Sequence, residues 1–456
     1  MYGPDFPHYK LYLVKISIFS NANFPFIPSR FPFFYGWLIL IFTTLGVMAS
    51  IPGQTIGVGV YIDFLIQSTS LTRMQISMSY MLGTIMSSLL LPLAGRCYDI
   101  FGSRVMIVFA GIGLGIAMLM LSQSSNLIMV IQTLLPGINP AVYGVLVMTF
   151  IFLLLRQFGQ GIMAMVSMNT LAKWFDRHRG FVSGISGIFV SFSFAGAPLF
   201  MNVLIEEYSY TASMFLLALI CGLGMALIGW TFYRDKPEDC GMLMDGKNID
   251  ADEKTNLSEE REITLKAALR TYNFWIFCLG LCSLSLIITG FTFHISSIGA
   301  LAGLSRMDAF GMFLPMSVVS AVSHLIAGWA SDRMPLKYLL MILLVSLGMG
   351  CLGILHLESI WFRMLVISGF GISGGLYACL IIVVWPRFYG RKHLGSINGL
   401  FMGAQVFASA IGPTVFGISE NLTGNYSTSA WISAVFCLVL FLSSFRAVSY
   451  YRPLSS

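Results

Sequence analysis

The sequence predicts an all-α membrane protein of about twelve transmembrane helices, arranged as two pseudo-symmetric six-helix bundles. Three observations carry this prediction: an apolar composition, a succession of apolar segments long enough to cross a membrane, and loop motifs that recur in both halves of the 456-residue chain. Hydrophobic residues make up 57% of the chain and charged residues only 10%, against about 25% charged residues in soluble domains. The composition therefore excludes a soluble globular protein.

The apolar segments have the length of membrane spans. A helix needs about 20 apolar residues to cross the hydrocarbon core, because it rises about 1.5 Å per residue through about 30 Å. Backbone groups in lipid must be satisfied within the segment, which favours helices. The predicted spans are residues 35–64, 75–95, 105–122, 141–166, 181–205, 212–233, 274–299, 309–331, 338–356, 362–385, 395–418 and 430–447.

One long polar stretch separates the sixth and seventh predicted spans. It runs from Arg234 to Arg270 and contains the charge-dense run DGKNIDADEKTNLSEEREI, which is typical of a linker. The predicted organisation is an N-terminal tail (1–34), a first bundle (35–233), a linker (234–273), a second bundle (274–447) and a C-terminal tail (448–456).

The distribution of Lys and Arg predicts the orientation in the membrane. If the N-terminus is cytoplasmic, 22 of the 26 basic residues fall on the cytoplasmic side, the exceptions being Arg73, Arg156, Arg306 and Arg363. Cytoplasmic loops of membrane proteins are enriched in such residues. We therefore expect both termini and the linker in the cytoplasm, and the protein in a cytoplasmic (inner) membrane.

The net charge and the cysteines exclude other classes of function. The charge of +6 reflects the bias toward one face of the membrane, so it does not indicate a nucleic-acid partner. The eight cysteines are scattered and include no CxxC pair. The sequence therefore predicts neither a disulfide framework nor a zinc site, and it suggests no other metal or cofactor.

Loop motifs repeat between the two halves. Gly95 and Asp99 recur as Gly328 and Asp332 at an offset of 233 residues, whereas Gly180, Gly184 and Pro198 recur as Gly395, Gly399 and Pro413 at an offset of 215. The chain thus consists of two copies of one six-helix unit. The difference between the two offsets, 233 and 215, places 18 extra residues in the first half, between its third and fourth spans. The apolar segment 126–140 fits there as an extended helix end or an interfacial hairpin.

The first repeated loop resembles the signature loop of the major facilitator superfamily. Its residues are Gly95, Asp99, Gly102 and Arg104, with a degraded copy at Gly328, Asp332 and Arg333. The resemblance implies that these loops latch the two halves together on the cytoplasmic face when the cavity opens outward. Glycines allow a tight turn and close helix approach, while Asp99 can meet Arg104, nearby N–H groups or a helix N-terminus. The alternative is that the loop charges only set the topology.

Further motifs narrow the resemblance. Arg156-x2-Gly159-x-Gly161 is similar to the second signature of the superfamily, on the fourth helix. The segments PGQT, KWFDRHRG, RDKPEDCG and FYGRKHLGSINGL resemble the oxalate:formate antiporter and monocarboxylate transporter branch. Arg156 lies near the middle of an apolar helix, where a charge normally faces a cavity or a partner. The functional interpretation of Arg156 is that it contacts an anionic substrate or takes part in a coupled protonation step. The structural alternative is that it forms hydrogen bonds with carbonyls of a neighbouring helix.

The two histidines in the second half, His294 and His324, are further candidates for binding or coupling. The branch commonly has a carboxylate-binding Arg four residues before the loop-motif glycine, and here His324 stands at that position, before Gly328. A protonated histidine can still pair with a carboxylate, and its ordinary pKa near 6.5 suits proton transfer. Alternatively, each histidine is a satisfied polar side chain between helices.

Interrupted helices point to the remaining cavity candidates. Pro52-Gly53, Ala197-Pro198 and Gly412-Pro413 are expected to break the first, fifth and eleventh helices, and such breaks are tolerated where they line a cavity. Gln54 and Thr55 follow the first break. The other candidates for substrate binding or coupling are Gln157, Gln160, Tyr377 and Gln405.

These features predict a secondary active transporter that moves a small organic solute by alternating access. The resemblance implies that this solute is a monocarboxylate or a related anion. No nucleotide-binding motif is present. The alternatives are a non-transporting nutrient sensor on the same scaffold and a transporter for a neutral or amphipathic, drug-like molecule. No convergent catalytic set is found, so we expect no enzyme. The expected partners are the solute, the lipid bilayer and a coupling proton, with no nucleic acid and a monomeric state.

Overall fold

A computed structural model of the protein describes residues 22–134, 137, 139–246 and 263–448. The described residues form helices joined by short connections, without a strand. The ends of both predicted tails and the middle of the predicted linker lie outside the described residues. Eleven of the described helical segments are long and apolar enough to cross a membrane.

The first six spans occupy the first half of the chain. Their helices are Gly36–Ala49 and Thr55–Thr69 for the first span, Arg73–Ser122 for the second and third, Pro140–Leu155, Arg156–Met163 and Ala164–Trp174 for the fourth, Arg179–Tyr208 for the fifth, and Tyr210–Leu217, Ala218–Gly224 and Met225–Phe232 for the sixth. The middle segments of the fourth and sixth spans are π-helical.

The remaining six spans follow the linker. Their helices are Tyr272–Leu301 for the seventh span, Arg306–Gly311 and Phe313–Ser331 for the eighth, Leu336–Gly353 for the ninth, Ile360–Tyr389 for the tenth, Leu394–Thr423 for the eleventh and Ser427–Ser444 for the twelfth. Within the linker, short helical turns occupy Pro237–Cys240, Met244–Gly246 and Leu265–Ala268.

The long helical segment Arg73–Ser122 is two antiparallel spans joined at Gly102. This glycine has φ 78° and ψ 175°, a non-helical conformation that L side chains rarely adopt. Leu91 lies against Gly161, and Gly113 lies against Phe158, on nearly the same turn of the fourth span. Residues 91 and 113 of one straight helix would stand about 33 Å apart. The chain therefore reverses at Gly102, and the eleven apolar segments make twelve crossings.

The first span is interrupted where the Pro52-Gly53 pair predicts it. A 3₁₀ turn at Ile51–Gly53 separates the two halves of the span. The Tyr61 hydroxyl donates a hydrogen bond to the carbonyl of Pro52 at 2.5 Å, which satisfies one of the groups that the break leaves free. The break is therefore built into the packing of the first bundle.

The other two predicted breaks are wrong. Pro198 and Pro413 lie inside the continuous helices Arg179–Tyr208 and Leu394–Thr423. A membrane helix accommodates proline because neighbouring helices and side chains satisfy the freed backbone groups. The carbonyl of Pro413 itself lies 2.9 Å from the His294 imidazole of the seventh span.

The extra segment of the first half contains a separate short helix, Ser124–Leu134, followed by the fourth span at Pro140. It is therefore not a simple extension of the third span. Met129, Val130 and Leu134 are more than half exposed on its surface. This is the exposure expected of an amphipathic helix lying along a membrane interface.

The two bundles meet at one end, which we call the motif end because Asp99, Asp332 and the linker lie there. The second span packs along the eleventh and the fifth along the eighth. Glycines bring the backbones together: a Cβ on Gly95 would stand 2.1 Å from the Gly395 carbonyl oxygen, and one on Gly328 would stand 2.4 Å from that of Gly180. Only the absence of side chains permits this approach.

Candidate functional site

A cavity of about 420 Å³ lies between the two bundles, within the size range of small-molecule sites. It is lined by the first, fourth and fifth spans of one bundle and by the seventh, eighth, tenth and eleventh spans of the other. Its apolar wall includes Met168, Phe194, Leu284, Ile288 and Phe370. The polar residues of the lining are Thr43, Gln54, Gln160, Ser167, Ser186, Ser191, Ser317, Ser320, His324, Tyr377 and Gln405.

The described residues of the cavity wall carry no fixed charge. Among the described residues that line it there is no Asp, Glu, Lys or Arg. The polar groups are amides, hydroxyls and one imidazole, so direct binding would use hydrogen bonds and apolar contacts. His324 is the one histidine among the described lining residues, and histidine is the side chain that most often carries protons near neutral pH.

The glutamines reach the cavity from irregular helix segments. Gln54 follows the 3₁₀ turn of the first span, and its amide nitrogen donates to the Ser50 hydroxyl at 3.2 Å. Gln160 lies in the π-helical segment of the fourth span, and its buried amide oxygen has no hydrogen-bond partner among the described residues. π-Helical segments are frequent at functional sites. Irregular backbone thus places two amides of the first bundle in the same cavity.

His324 lies where the fifth and eighth spans meet and is 3% exposed. Its Nε2 atom is 3.2 Å from the hydroxyl of Ser183 in the other bundle. The ring also covers Gly187, where a Cβ would stand 1.9 Å from Nδ1. The residue that replaces the branch's arginine is therefore both a lining residue and a contact between the bundles.

Arg156 lies behind the cavity wall rather than on it. The residue is 1% exposed and is not among the lining residues. Its Nη1 atom donates to the Gly53 carbonyl at 3.4 Å and to the Thr55 hydroxyl at 3.3 Å. The guanidinium also lies 5.3 Å from the centre of the Tyr80 ring. Its Nε atom is buried without a hydrogen-bond partner among the described residues, and none of the ion pairs in this part of the chain involves Arg156.

Of the other predicted candidates, Tyr377 and Gln405 lie in the cavity and three residues lie away from it. Gln157 accepts a hydrogen bond from Ser87 at 2.9 Å, between the second and fourth spans. Thr55 accepts one from Tyr80 at 2.9 Å, beside Arg156. His294 lies at the seventh span, between the carbonyl of Pro413 and the hydroxyl of Tyr426, at 2.9 and 3.1 Å.

Each predicted loop aspartate binds the start of a helix in the other bundle. Asp99 accepts hydrogen bonds from the backbone N–H groups of Gly395 and Ser396 at 2.7 and 2.8 Å, and from the Ser396 hydroxyl at 2.5 Å. Asp332 accepts them from the N–H groups of Gly180 and Phe181, both at 3.1 Å. A carboxylate at a helix N-terminus is favoured by the free N–H groups and the helix dipole. Three partners were predicted as alternatives for Asp99, namely Arg104, nearby N–H groups and a helix N-terminus. In the structure its partner is the N-terminus of the eleventh helix.

The two contacts are not identical. Asp332 also forms an ion pair with Arg387 of its own bundle, whereas none of the ion pairs among the described side chains involves Asp99. Arg104 donates to the carbonyls of Tyr233 and Phe24 at 3.1 and 2.9 Å. Arg333 is exposed and donates to the Trp329 carbonyl at 3.1 Å. Both basic motif residues thus bind groups of their own half.

Several contacts at the motif end were not predicted. The Asn398 amide donates to the Asn169 oxygen at 2.5 Å between the bundles. Arg391 pairs with Glu238 of the linker at 2.8 Å and donates to the Lys173 carbonyl at 2.8 Å. The only sequence signal for Glu238 is its place in the RDKPEDCG motif, and nothing in the sequence marks the asparagine pair.

Asp235, three residues before Glu238, anchors the start of the linker to the first bundle. It accepts hydrogen bonds from the backbone N–H and the hydroxyl of Ser103 at 3.1 and 2.9 Å, and it pairs with Lys173 at 2.9 Å. Burial on its own raises the pKa of Asp235, but the Lys173 charge and these hydrogen bonds outweigh it and lower the pKa below its ordinary value. The carboxylate is therefore ionised at neutral pH.

The described contacts between the bundles lie toward the motif end. They involve the residue stretches 88–99, 169–187, 238, 324–332 and 391–403. Toward the opposite end, a Cβ on Gly196 would meet nothing within 4 Å. The cavity is thus closed at the motif end by polar contacts and glycine packing.

Comparison with known proteins agrees with this architecture. The chain matches the Major Facilitator Superfamily over residues 37–413. It is 29% identical to monocarboxylate transporter 11 of Mus musculus over 144 residues, which are 29% of this chain and 32% of that protein. It is 28% identical to monocarboxylate transporter 12 of Xenopus laevis over 147 residues, 30% and 32% of the two chains. These matches span about a third of the curated relatives.

Solved structures share the fold over nearly their whole length. The match to the proton:xylose symporter XylE covers 91% of this chain and 97% of the XylE chain, with 14% identity and a TM-score of 0.67. The E. coli fucose:proton symporter FucP covers 91% and 99%, with 12% identity and a TM-score of 0.64. The family match extends over more than half of the sequence, and the twelve crossings form two six-helix bundles. The chain therefore belongs to the major facilitator superfamily of membrane transporters.

Proposed function

We propose that this protein is a secondary active transporter that moves a small organic solute through the central cavity by alternating access. The observation that carries the proposal is a solute-sized cavity between two bundles, closed at the motif end by contacts that can separate. The two aspartate–helix contacts and the Asn169–Asn398 pair are polar and lie between the bundles. The Glu238–Arg391 pair joins the linker to the second bundle. Such groups can exchange protein partners for water when that end opens.

For the solute, we propose a monocarboxylate or a related organic monoanion. The names of the relatives and the branch motifs support this class. An apolar wall with a few amides and hydroxyls suits a small carboxylate with an apolar body. His324 is the described lining group best suited to carry a coupling proton.

A neutral or amphipathic solute is the second candidate, and the specific observation that favours it is that the described lining residues carry no fixed charge. The two candidates differ in their response to a carboxylate. A neutral-solute transporter would take up a carboxamide at least as well as the matching carboxylate.

We also propose that the motif end faces the cytoplasm, because most basic residues lie toward it. Lys236 of the linker and Glu207 at the opposite end are both exposed. In a Cys-free background, Lys236→Cys should resist an impermeant thiol reagent in intact cells, whereas Glu207→Cys should react. Rapid labelling of Lys236→Cys would show that the motif end faces the outside and that the proposed orientation is wrong.

Transport itself is tested with purified protein in proteoliposomes and a panel of labelled solutes. Spin labels at the exposed residues Arg177 and Arg333 report the distance between the bundles at the motif end. A pair at Arg177 and Lys236, both on the side of the first bundle, is the matched control. A transporter should show uptake together with a second, longer Arg177–Arg333 distance. Solute-dependent distances without uptake would indicate a sensor instead.

A further inference from the structure

We propose that Arg156 selects a solute with a single negative charge without touching it, and that it acts through the cavity amides of Gln160 and Gln54. The inference rests on the proposed transport function and assigns the charge selectivity to one residue behind the wall. Arg156 is then a positioning and selectivity residue rather than a substrate ligand.

The first step is that Arg156 is a buried cation without a counter-ion among the described side chains. Its hydrogen-bond acceptors are a backbone carbonyl and a hydroxyl, and its ring neighbour is the neutral Tyr80. None of the ion pairs among the described side chains neutralises it. An arginine keeps its charge even when buried. The positive charge of this site therefore remains uncompensated within the described part of the first bundle.

The second step is the proximity of this charge to the cavity. Gln160 is four residues after Arg156, one turn along the same span, and Gln54 lies between Gly53 and Thr55, which Arg156 binds. Both glutamines line the cavity. Side chains about one helical turn apart are neighbours, so a solute on these amides is close enough to the guanidinium to interact with its charge.

The third step is the orientation of the Gln160 amide. Its oxygen is buried in the protein without a hydrogen-bond partner among the described residues, which leaves the N–H groups for the cavity. A positive charge behind an amide favours this orientation, because it attracts the oxygen and turns the donors outward. An anion at the cavity surface accepts from such donors, and charge-assisted hydrogen bonds are the stronger kind.

The fourth step is that no described lining residue cancels the field of Arg156. The described lining residues include no acid that would attract a cation and no second base that would compensate a dianion. One uncompensated positive charge matches one negative charge. The site thus favours a monoanion whose apolar body packs on side chains such as Phe194 and Phe370.

The alternative is that Arg156 only clamps the interrupted first span through Gly53. The substitutions that separate the two roles keep or remove the charge. Arg156→Lys keeps a positive charge and a donor, whereas Arg156→Gln keeps a donor and removes the charge. Gln160→Leu removes the amide of the cavity, and Gln67→Leu, an exposed residue outside the cavity, is the matched control.

The readout is the ratio of uptake of a carboxylate to uptake of its carboxamide, which a purely structural defect does not change. The probes are benzoate with benzamide and butyrate with butyramide, in proteoliposomes at about pH 7.5. This pH lies above the ordinary pKa of histidine. We expect the native protein and Gln67→Leu to favour the carboxylates by about tenfold or more. Arg156→Lys should keep this ratio even if its rate falls.

Arg156→Gln should bring the ratio toward one, through a higher KM for the carboxylate and an unchanged KM for the amide, and Gln160→Leu should lower the ratio as well. A thermal unfolding curve establishes that each variant is folded. If folded Arg156→Gln keeps the carboxylate preference, the proposal is overturned and Arg156 is a clamp. If Arg156→Gln does not fold, a Gln160→Leu protein with the native ratio overturns it.

Failure of this inference can be told from failure of the transport proposal. A native protein that takes up the carboxamides as well as the carboxylates overturns the charge selectivity and leaves transport standing. Uptake of neither pair overturns the proposed solute class, and the wider solute panel with the Arg177–Arg333 distance then decides whether transport itself stands.

Discussion

A methyl group added at Gly187 should weaken the closed motif end. The Cβ of Gly187→Ala would stand 1.9 Å from Nδ1 and 2.0 Å from Cε1 of His324. Non-bonded heavy atoms separate by about 3.5–4.0 Å, so the imidazole must move by about 1.5–2 Å. That movement breaks the contact between His324 and the Ser183 hydroxyl.

The magnitude follows from these two effects. Overpacking costs about 1–3 kcal/mol, and the lost hydrogen bond costs about 0.5–1.5 kcal/mol. A partial adjustment of the eighth span relieves some of this overpacking, so the expected net cost is about 2 kcal/mol. This corresponds to a shift of about thirtyfold in the equilibrium between the closed and open states of the motif end. The cost arises only while the bundles are together, so it shifts the conformational equilibrium rather than the folding equilibrium.

The assay is the Arg177–Arg333 distance distribution measured by electron spin resonance without solute. Gly187→Ala should raise the population with the longer distance, whereas in a His324→Ala background it should cause little further change, because the smaller side chain leaves room for the added methyl group. Gly196→Ala is the control on the same helix, since its Cβ meets nothing within 4 Å. An unchanged distribution in Gly187→Ala, or the same change with and without His324, would refute the reasoning.

Three further predictions follow from the described contacts. Asp99→Asn keeps the shape of the carboxylate but weakens its bonds to the eleventh helix, so the Arg177–Arg333 distance should lengthen and uptake should slow. Equal rates and distances would show that the motif charge only sets topology. His324→Arg places a permanent cation on the wall and should remove the part of the pH dependence of uptake that protonation of the imidazole supplies. A shared pH midpoint in the two proteins would exclude His324 as the titrating group. The pKa of Asp235 is lowered in the folded protein, so its stabilising effect is complete above the ordinary pKa of about 3.9 and is lost as pH falls through the folded value. Asp235→Asn should therefore have a lower Tm at pH 7, and the difference from the native Tm should shrink below about pH 4. A constant difference in Tm down to pH 3 would contradict this.

Much of the fold could be predicted because the bilayer leaves few choices. An apolar segment that must satisfy its own backbone groups becomes a helix, so composition and length predicted the spans. The repeated loops predicted two bundles and the position of the extra segment. The prolines were less informative: Pro52 interrupts its helix, whereas Pro198 and Pro413 do not. Whether neighbouring groups satisfy the freed carbonyls depends on tertiary packing.

The candidate site was predicted less completely. Gln54, Gln160, Tyr377, Gln405 and His324 share the cavity, as polar residues within apolar helices can be expected to do. The sequence could not distinguish a lining position from one a turn away. One helix carries both side chains that point to the cavity and side chains that point into the bundle. In a regular helix the number of residues per turn would tell them apart, but the π-helical segment of the fourth span changes that number.

The sequence by itself determined that this chain spans the membrane about twelve times, that its halves are copies of one unit, and that each copy carries an aspartate before a turn. These properties follow from the cost of burying polar groups in lipid and from local motifs. Only the tertiary structure decided which partners those groups find. Asp99 binds the eleventh helix nearly 300 residues away, His324 covers Gly187 of the other bundle, and Arg156 lies behind the cavity rather than in it. The physical reason is that a charge in a membrane requires a partner, whereas which partner it meets depends on the packing of helices distant in the chain.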